Sequence, residues 1–397
     1  MKFALHRFPS LTRSMATALA CGVLTEATIP AANLILSNTN PPPHSLRLVF
    51  IHHSTGEAWL ADDHGGLGLA LRDNGYFVSD SNYGWGPDSI GDNTDMGHWW
   101  HWFRSADRGR YLAALDQLSD QNCDYSRLAN AAGETNEIIM FKSCFPNSAL
   151  QGAPTDPVPP IDQNPLRDQD AGSEFHTVAN AKGLYLDLLH YFATRPDKLF
   201  VAITAPPLSD ATYADNARAF NNWLVQDWRR DYPHSNVFVF DFYNVLTSNG
   251  GSAAVNDARR ETGNHHRWWR GAVQHKTDGG GNVSAYASAA DDDHPNAAGD
   301  AKATMEFVPL LNAAVNAWLA TSSAVPRLTA TRSDPHQLDW TATELVAGVS
   351  YTLQWKTNLA VASWNNVTNL IAFSTVTNGT IPIIVTSPAA FYRLRSP

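Results

Sequence analysis

Short, continuous apolar runs recur through the first two thirds of the chain: "LRLVFIHH" from Leu46, "YFVSD" from Tyr76, "NEIIMFKSCF" from Asn136, "KLFVAITAPP" from Lys198 and "NVFVFDFYNVL" from Asn236. Runs of this kind suit strands buried on both faces. Between them the apolar positions recur at helical spacing. In "AKGLYLDLLHYFATRPDK", Leu184, Leu188, Leu189 and Phe192 share one face; in "DNARAFNNWLVQDWRRDYP", Phe220, Trp223, Leu224 and Trp228 do the same. "GEAWLADDHGGLGLALRDNG" reads as an interrupted helical stretch stopping at Asn74-Gly75, and "NAAGDAKATMEFVPLLNAAVNAWLA" as a last long helix that Pro309 should kink or divide. Strands alternating with helices predict an α/β domain with a parallel sheet covered on both sides. In such sheets reactive groups collect at the carboxyl ends of the strands.

The pattern changes near Val325. From there "SYTLQWKTN", "ASWNNVTN", "IAFSTVTNG", "TIPIIVTS" and "FYRLR" alternate apolar and polar residues between Asn, Gly and Ser turns. That is the pattern of a small all-β sandwich. The expected organisation is a signal peptide over 1–32, a catalytic domain over 45–322 and a non-catalytic β-sandwich over 326–397, used for binding or for attachment to a surface or polysaccharide. The first segment is predicted from its order: basic Lys2, Arg7 and Arg13, the apolar "MATALACGVL", then the small residues of "TEATIPAA". The apolar run is too short for a membrane anchor, so the expected location is secreted or periplasmic.

Composition narrows the choice of partner. A net charge of −10, with no stripe of Lys and Arg, excludes a nucleic-acid surface. The 13 Trp residues often stand beside polar ones, a pattern compatible with sugar-binding platforms as well as with core packing. Of the three cysteines, Cys21 falls in the predicted signal; Cys123 and Cys144 remain, to form a disulfide or to stay as two buried thiols.

The chemistry is concentrated at the first strand's end. "LVFIHHSTGEAWL" passes abruptly from apolar residues to two histidines and Ser54. A serine hydroxyl becomes a nucleophile when a histidine held by a carboxylate accepts its proton. "ADDDHPNAAGDA" offers that pair: Asp291 and His294 are three apart, which in a turn or helical start puts both side chains on one side. For Ser54 the competing reading is an N-cap.

On these blocks the chain resembles a divergent member of the SGNH (GDSL-type) hydrolases. The resemblance covers residues 45 to 320 in element order and implies a flavodoxin-like three-layer α/β/α sandwich. Carried over residue by residue, it implies Ser54 in "FIHHSTG" as nucleophile, and Asp291 with His294 as carboxylate and base. It implies an oxyanion hole built from the Ser54 N–H, Gly84 in "SNYGWGPD" and Asn147 in "FKSCFPNS". The chain departs from the family at two places: His52-His53 stand where the family has Gly-Asp, and "KSCFPNS" lacks Gly-x-Asn-Asp. Asp292 and Asp293 are alternative carboxylates, favoured less only by the family spacing.

Two aromatic patches remain, "MGHWWHWF" (96–103) and "GNHHRWWRG" (263–271). Trp99, Trp102 and Trp268 are expected to pack the excursion onto the body of the domain, while Trp268 or Trp269 at the site's rim is a candidate substrate platform. The expected activity is therefore hydrolysis of a small acyl ester, such as an acetyl group on a carbohydrate, through an acyl-enzyme and without a cofactor. Two rivals stand beside it. One is a binding protein on a catalytically dead hydrolase fold. The other is a metal-dependent hydrolase drawing on His52 or His53 with Asp293, His294 or His98; without an H-x-x-x-H spacing, the expectation is no metal.

Overall fold

The computed structural model describes residues 38–247, apart from 131, 132 and 134. Beyond them it describes 267–269, 272–274, 287–289 and 292–322, and toward the C-terminus 327–334, 337–343, 350–356, 363–371, 376–382 and 391–395. The predicted signal peptide lies outside the described residues.

The five apolar runs form β1 (Leu46–Ile51), β2 (Tyr76–Ser81), β3 (Ile138–Lys142), β4 (Leu199–Ile203) and β5 (Val237–Phe240). They make one parallel sheet in the order β2-β1-β3-β4-β5, with registers such as Phe50 opposite both Asp80 and Met140. Every residue of all five strands is buried. Alternate residues enter two separate apolar clusters, as the period of two requires. Val49, Ile51, Ile139, Phe141, Phe200, Ala202 and Val239 belong to the cluster that includes α3 (His98–Arg104), α4 (Arg108–Gln117), α5 (Val178–Phe192) and α6 (Ala214–Gln226). Leu48, Phe50, Ile138, Met140, Val201 and Phe240 belong to the other, with α1 (Ser54–Leu60), α2 (Leu67–Asp73), α7 (Phe242–Leu246) and α8 (Ala297–Ser322). Each fully buried aliphatic or aromatic side chain contributes about 1.5–3 kcal/mol, so the continuous apolar runs are what keep these strands central.

Helix boundaries follow local signals. α2 stops where Asn74 caps it and Gly75 takes φ 85°, a left-handed conformation that disfavours other residues. The run expected as a fifth strand is shorter than its apolar pattern: Asp241 accepts from the Asn244 N–H at 3.2 Å and starts α7 instead. α8 runs undivided through Pro309, contrary to the expected break. Trp99, Trp102 and Phe103 of α3 are fully buried, as expected of a core patch.

The C-terminal region is antiparallel. β10 (Arg327–Asp334), β11 (Gln337–Thr343) and β14 (Val376–Pro382) form one three-stranded sheet; β12 (Ser350–Lys356), β13 (Asn365–Ile371) and β15 (Phe391–Arg395) form another. Trp340 and Ala342 of β11 share an apolar cluster with Tyr351 and Leu353 of β12. Four short strands precede α8 or lead into it: β6 (Arg267–Trp269), β7 (Ala272–Gln274), β8 (Ala287–Ala289) and β9 (Asp292–Pro295). Among the described residues no helix is long and apolar enough to cross a membrane.

The first turn of α8 buries a carboxylate. Asp300 has no solvent exposure and faces His64 Nδ1 at 3.1 Å, a charge contact whose angles fall short of a hydrogen bond. Burial raises the Asp300 carboxyl to about 6, against the opposing pull of His64, Lys142 and His294. The Asp300 carboxylate in turn raises His64 above the ordinary imidazole value. Both shifts mean that the folded chain holds protons more tightly than the unfolded chain. The stability this pair contributes is therefore present at low pH and is lost as pH rises through about 4 to 6 and on through the His64 titration. Urea unfolding at a series of pH values should show Asp300→Asn flattening this decline, by up to about 3 kcal/mol between pH 4 and 7 relative to wild type.

Candidate active site

The end of β1 delivers Ser54 to the carboxyl edge of the sheet. His53, extended at φ −122°, is the residue before the first turn of α1, and Ser54 is already the first helical residue. Its hydroxyl is thus free of capping duty. Instead Ser54 Oγ lies 2.7 Å from His294 Nε2, although 240 residues separate them. His294 Nδ1 lies 2.5 Å from Asp292 Oδ1, which also accepts the His294 backbone N–H at 3.0 Å. A carboxylate on Nδ1 fixes the proton there and leaves Nε2 as acceptor for the serine. Phe145 meets the ring edge-on at 4.9 Å and restrains it from the other side. The His294 backbone and side chain both donate to Asp292 and hold its carboxyl below the usual range.

The carboxylate on His294 is therefore Asp292. Asp291, to which the spacing of three pointed, lies outside the described residues. The physical reason for the shift is local: the pair sits in an extended strand, β9, where residues two apart share a face, and not in a helical turn. The third member of the acidic run, Asp293, accepts from the Ser209 N–H at 2.5 Å and ties the loop after β4 to β9.

The oxyanion donors expected from the resemblance are committed elsewhere. Gly84 takes φ 71° in its turn and donates its N–H to Asp92 Oδ1 at 2.7 Å. Asn147 is fully buried; its amide donates to Asp95 Oδ1 at 2.5 Å and its oxygen accepts the Met96 N–H at 2.8 Å. Asn147 thus knits two loops together in the way a structural amide does, and it is not presented to Ser54. Tyr83 stacks on His53, the residue before Ser54, with ring centroids 3.7 Å apart, and burial raises its hydroxyl above the ordinary phenol value. Of Trp268 and Trp269 the structure describes only the backbone, in β6; their side chains lie outside the described residues.

The two histidines before the serine have separate tasks. His53 meets the Gly91 carbonyl through Nε2 at 2.7 Å, and burial lowers it to about 4, against the pull of that bond; the ring is neutral at ordinary pH and serves as Tyr83's platform. His52 has no solvent exposure and points away from Ser54, toward Asp80. Gly56 is required by that ring: a side-chain carbon there would collide with His52 Cβ and Cγ. The "HHSTG" string is therefore one packed unit.

Sequence reasoning missed a cluster beneath the serine. Cys123 and Cys144 are both free thiols, so the disulfide alternative does not hold. Cys144 Sγ lies 3.3 Å from Thr55 Oγ1, 3.7 Å from Lys142 Nζ and 4.0 Å from Ser54 Oγ. Lys142 is fully buried and also donates to Thr55 Oγ1 and, at 3.3 Å, to the Ser143 carbonyl. Burial lowers the Lys142 amine below its ordinary value. Burial works to raise the Cys144 thiol, but the Lys142 charge and the hydrogen bonds from Thr55 and Ser54 outweigh it and hold the thiol below its ordinary value. The only local hint was a lysine closing an apolar run; a strand-end lysine normally reaches water, and nothing nearby in sequence marks this one as buried.

The arrangement can move a proton from Ser54 to His294 with Asp292 holding the ring, and it keeps an acidified thiol beside the serine. Comparison with family models, curated proteins and solved structures gave no match. A lysine-controlled thiol has a measurable signature. Alkylation of Cys144 by iodoacetamide, followed by peptide mass against pH, should inflect below the range of a free thiol. Lys142→Met should move that inflection upward; an unmoved inflection would detach the thiol from the lysine.

Proposed function

We propose that the protein is a serine esterase acting through an acyl-enzyme. The observation that carries the reading is the continuous chain of contacts from Ser54 Oγ through the His294 ring to Asp292. As the Ser54 oxygen forms a bond to an ester carbonyl carbon, its proton passes to His294 Nε2, and the Asp292 carboxylate stabilises the imidazolium. The imidazolium then gives that proton to the departing alkoxide. Water, deprotonated by the same nitrogen, attacks the acyl carbon and restores the serine. The Ser54 N–H at the start of α1 would meet the developing oxyanion, with the hydroxyl of Tyr83, stacked on the neighbouring His53, as the candidate second donor.

The finer reading of the architecture goes with it. The strand order 2-1-3-4-5 and the two clusters fed by alternate strand residues support a flavodoxin-like three-layer sandwich. Together with the Ser54–His294 pair they support kinship with the SGNH hydrolases, and the shared cluster of β11 and β12 supports a sandwich of the two C-terminal sheets. Export of the chain, an acylated carbohydrate as substrate and attachment through the C-terminal region rest on the sequence patterns alone. A second reading, a binding protein on a hydrolase fold without turnover, is favoured by one observation: the Gly84 and Asn147 donors are engaged by Asp92 and Asp95.

Hydrolysis of p-nitrophenyl acetate by the full chain separates the two. On the esterase reading Ser54→Ala lowers kcat about ten-thousand-fold or more, and its unchanged activity would remove the nucleophile. Asp292→Asn should cost about a hundred- to ten-thousand-fold in kcat, and Asp291→Asn much less. Equal losses at the two positions would break the assignment of the carboxylate. Tyr83→Phe should lower kcat about tenfold or more with little change in KM if its hydroxyl serves the oxyanion, and leave both constants unchanged if it does not.

A further inference from the structure

Behind the serine, three donor atoms from three distant segments meet in the interior. His52 follows β1, Asp80 lies in β2 and Cys123 lies in the segment after α4; Nε2, a carboxylate oxygen and Sγ all fall within 4.8 Å of one another. His52 and Asp80 have no solvent exposure. No hydrogen bond joins any of the three to Ser54 or His294 among the described residues, so the group is distinct from the candidate active site.

The His52 ring raises a problem that protein groups alone answer poorly. Its Nδ1 is 2.9 Å from the His53 carbonyl oxygen, and its Nε2 is 3.3 Å from Asp80 Oδ2. Both ring nitrogens thus face acceptors. A neutral imidazole has one N–H, so either tautomer leaves a lone pair against an oxygen. With the proton on Nδ1, the Nε2 lone pair has two possible partners: the Cys123 S–H, at a long 3.9 Å, or a cation seated between it, Asp80 and Cys123. The shorter contact puts the proton on Nδ1 and turns the Nε2 lone pair toward Asp80 and Cys123.

We infer that His52 Nε2, Asp80 Oδ2 and Cys123 Sγ form a site for a divalent transition-metal ion, zinc by its donor set. Mixed nitrogen, oxygen and sulfur ligands suit zinc. A tetrahedral zinc with ordinary bond lengths sets its nitrogen and oxygen ligands about 3.3 Å apart and its nitrogen and sulfur ligands about 3.6 Å apart. The observed separations are 3.3 Å for His52 Nε2 to Asp80 Oδ2 and 3.9 Å for His52 Nε2 to Cys123 Sγ. The outer contacts are those a metal site uses to orient its ligands. Nδ1–H is held by a backbone carbonyl; Asp80 Oδ1 accepts from the Tyr125 hydroxyl at 2.9 Å and the Asn122 N–H at 2.8 Å, which leaves Oδ2 for the ion. Asn82 Nδ2 approaches Cys123 Sγ at 3.4 Å and Glu57 at 3.0 Å, so a second carboxylate lies close by. Binding forms a metal–sulfur bond, and the Cys123 proton passes to solvent. With three protein ligands, a fourth position is left for water. The ion would lock the turn that precedes Ser54 to β2 and to the segment around Cys123.

Cobalt(II) titration tests this on the full chain, using wild type and the Ser54→Ala, Cys144→Ser and Cys123→Ser variants. The site predicts one equivalent of cobalt with a thiolate-to-metal charge-transfer band in the near ultraviolet. That band persists in Ser54→Ala and Cys144→Ser and disappears in Cys123→Ser. Cobalt held by other histidines gives no such band. Because Ser54→Ala carries no esterase activity on the reading above, the site is judged independently of that reading. Absence of the band in wild type, or its survival in Cys123→Ser, overturns the proposal. Should Cys123→Ser fail to fold, zinc protection of wild-type Cys123, but not Cys144, from iodoacetamide decides the matter; equal alkylation of Cys123 with and without zinc rejects the site.

Discussion

The burial of β1 on both faces governs everything around the site. Leu48 and Phe50 enter one apolar cluster and Val49 and Ile51 the other, so the strand can neither slide nor rotate without exposing half of them. With its register fixed against β2 and β3, the chain must leave the sheet at His52, and Ser54 stands at a fixed point on the carboxyl edge. A residue 240 positions away can then meet it to within hydrogen-bond distance. Helix α8 completes the constraint: it packs in the same cluster as Leu48 and Phe50, and the strand that carries His294 leads directly into it.

Around that fixed point the chemistry is layered. Directly against the serine hydroxyl is His294, with Tyr83 stacked on the neighbouring His53. Beneath lie Thr55, Cys144 and Lys142, a polar cluster inside the protein. A buried ammonium is costly unless other groups satisfy it. Here a hydroxyl, a carbonyl and a thiol do so, which ties the start of α1 to the end of β3. Behind stands His52, wedged against Gly56. His52 and His53 therefore act as framework beside Ser54, one against Gly56 and the other under Tyr83.

The sheet was legible because its signal is local: five apolar runs, each long enough to be buried, in an order that demands crossovers. Ser54 and His294 were legible as a pair because their residue types have few other joint uses. Asp292 was not, because the choice among three consecutive aspartates turns on whether the backbone there is extended or helical, and the acidic run itself says neither. Gly84 and Asn147 show the opposite failure. Both lie near the expected positions, yet each donor is captured by an aspartate from the same excursion, Asp92 or Asp95, and no spacing reveals that capture. Cys123, Asp80 and His52 come from three segments with no short motif, so only the folded chain brings them together. Disulfide pairing failed for a related reason: each sulfur has its own polar neighbours, at opposite sides of the turn before Ser54.

Tyr83 has a consequence of its own. Its ring is 60% exposed and rests on His53, the residue that precedes Ser54. A largely exposed side chain thus borders the turn that carries Ser54. Moving that side chain means sliding one ring off another at the water boundary, with the packed interior left untouched. The solvent-facing side of the turn at Ser54 is thus held by the stacking of two rings and not by the packed core.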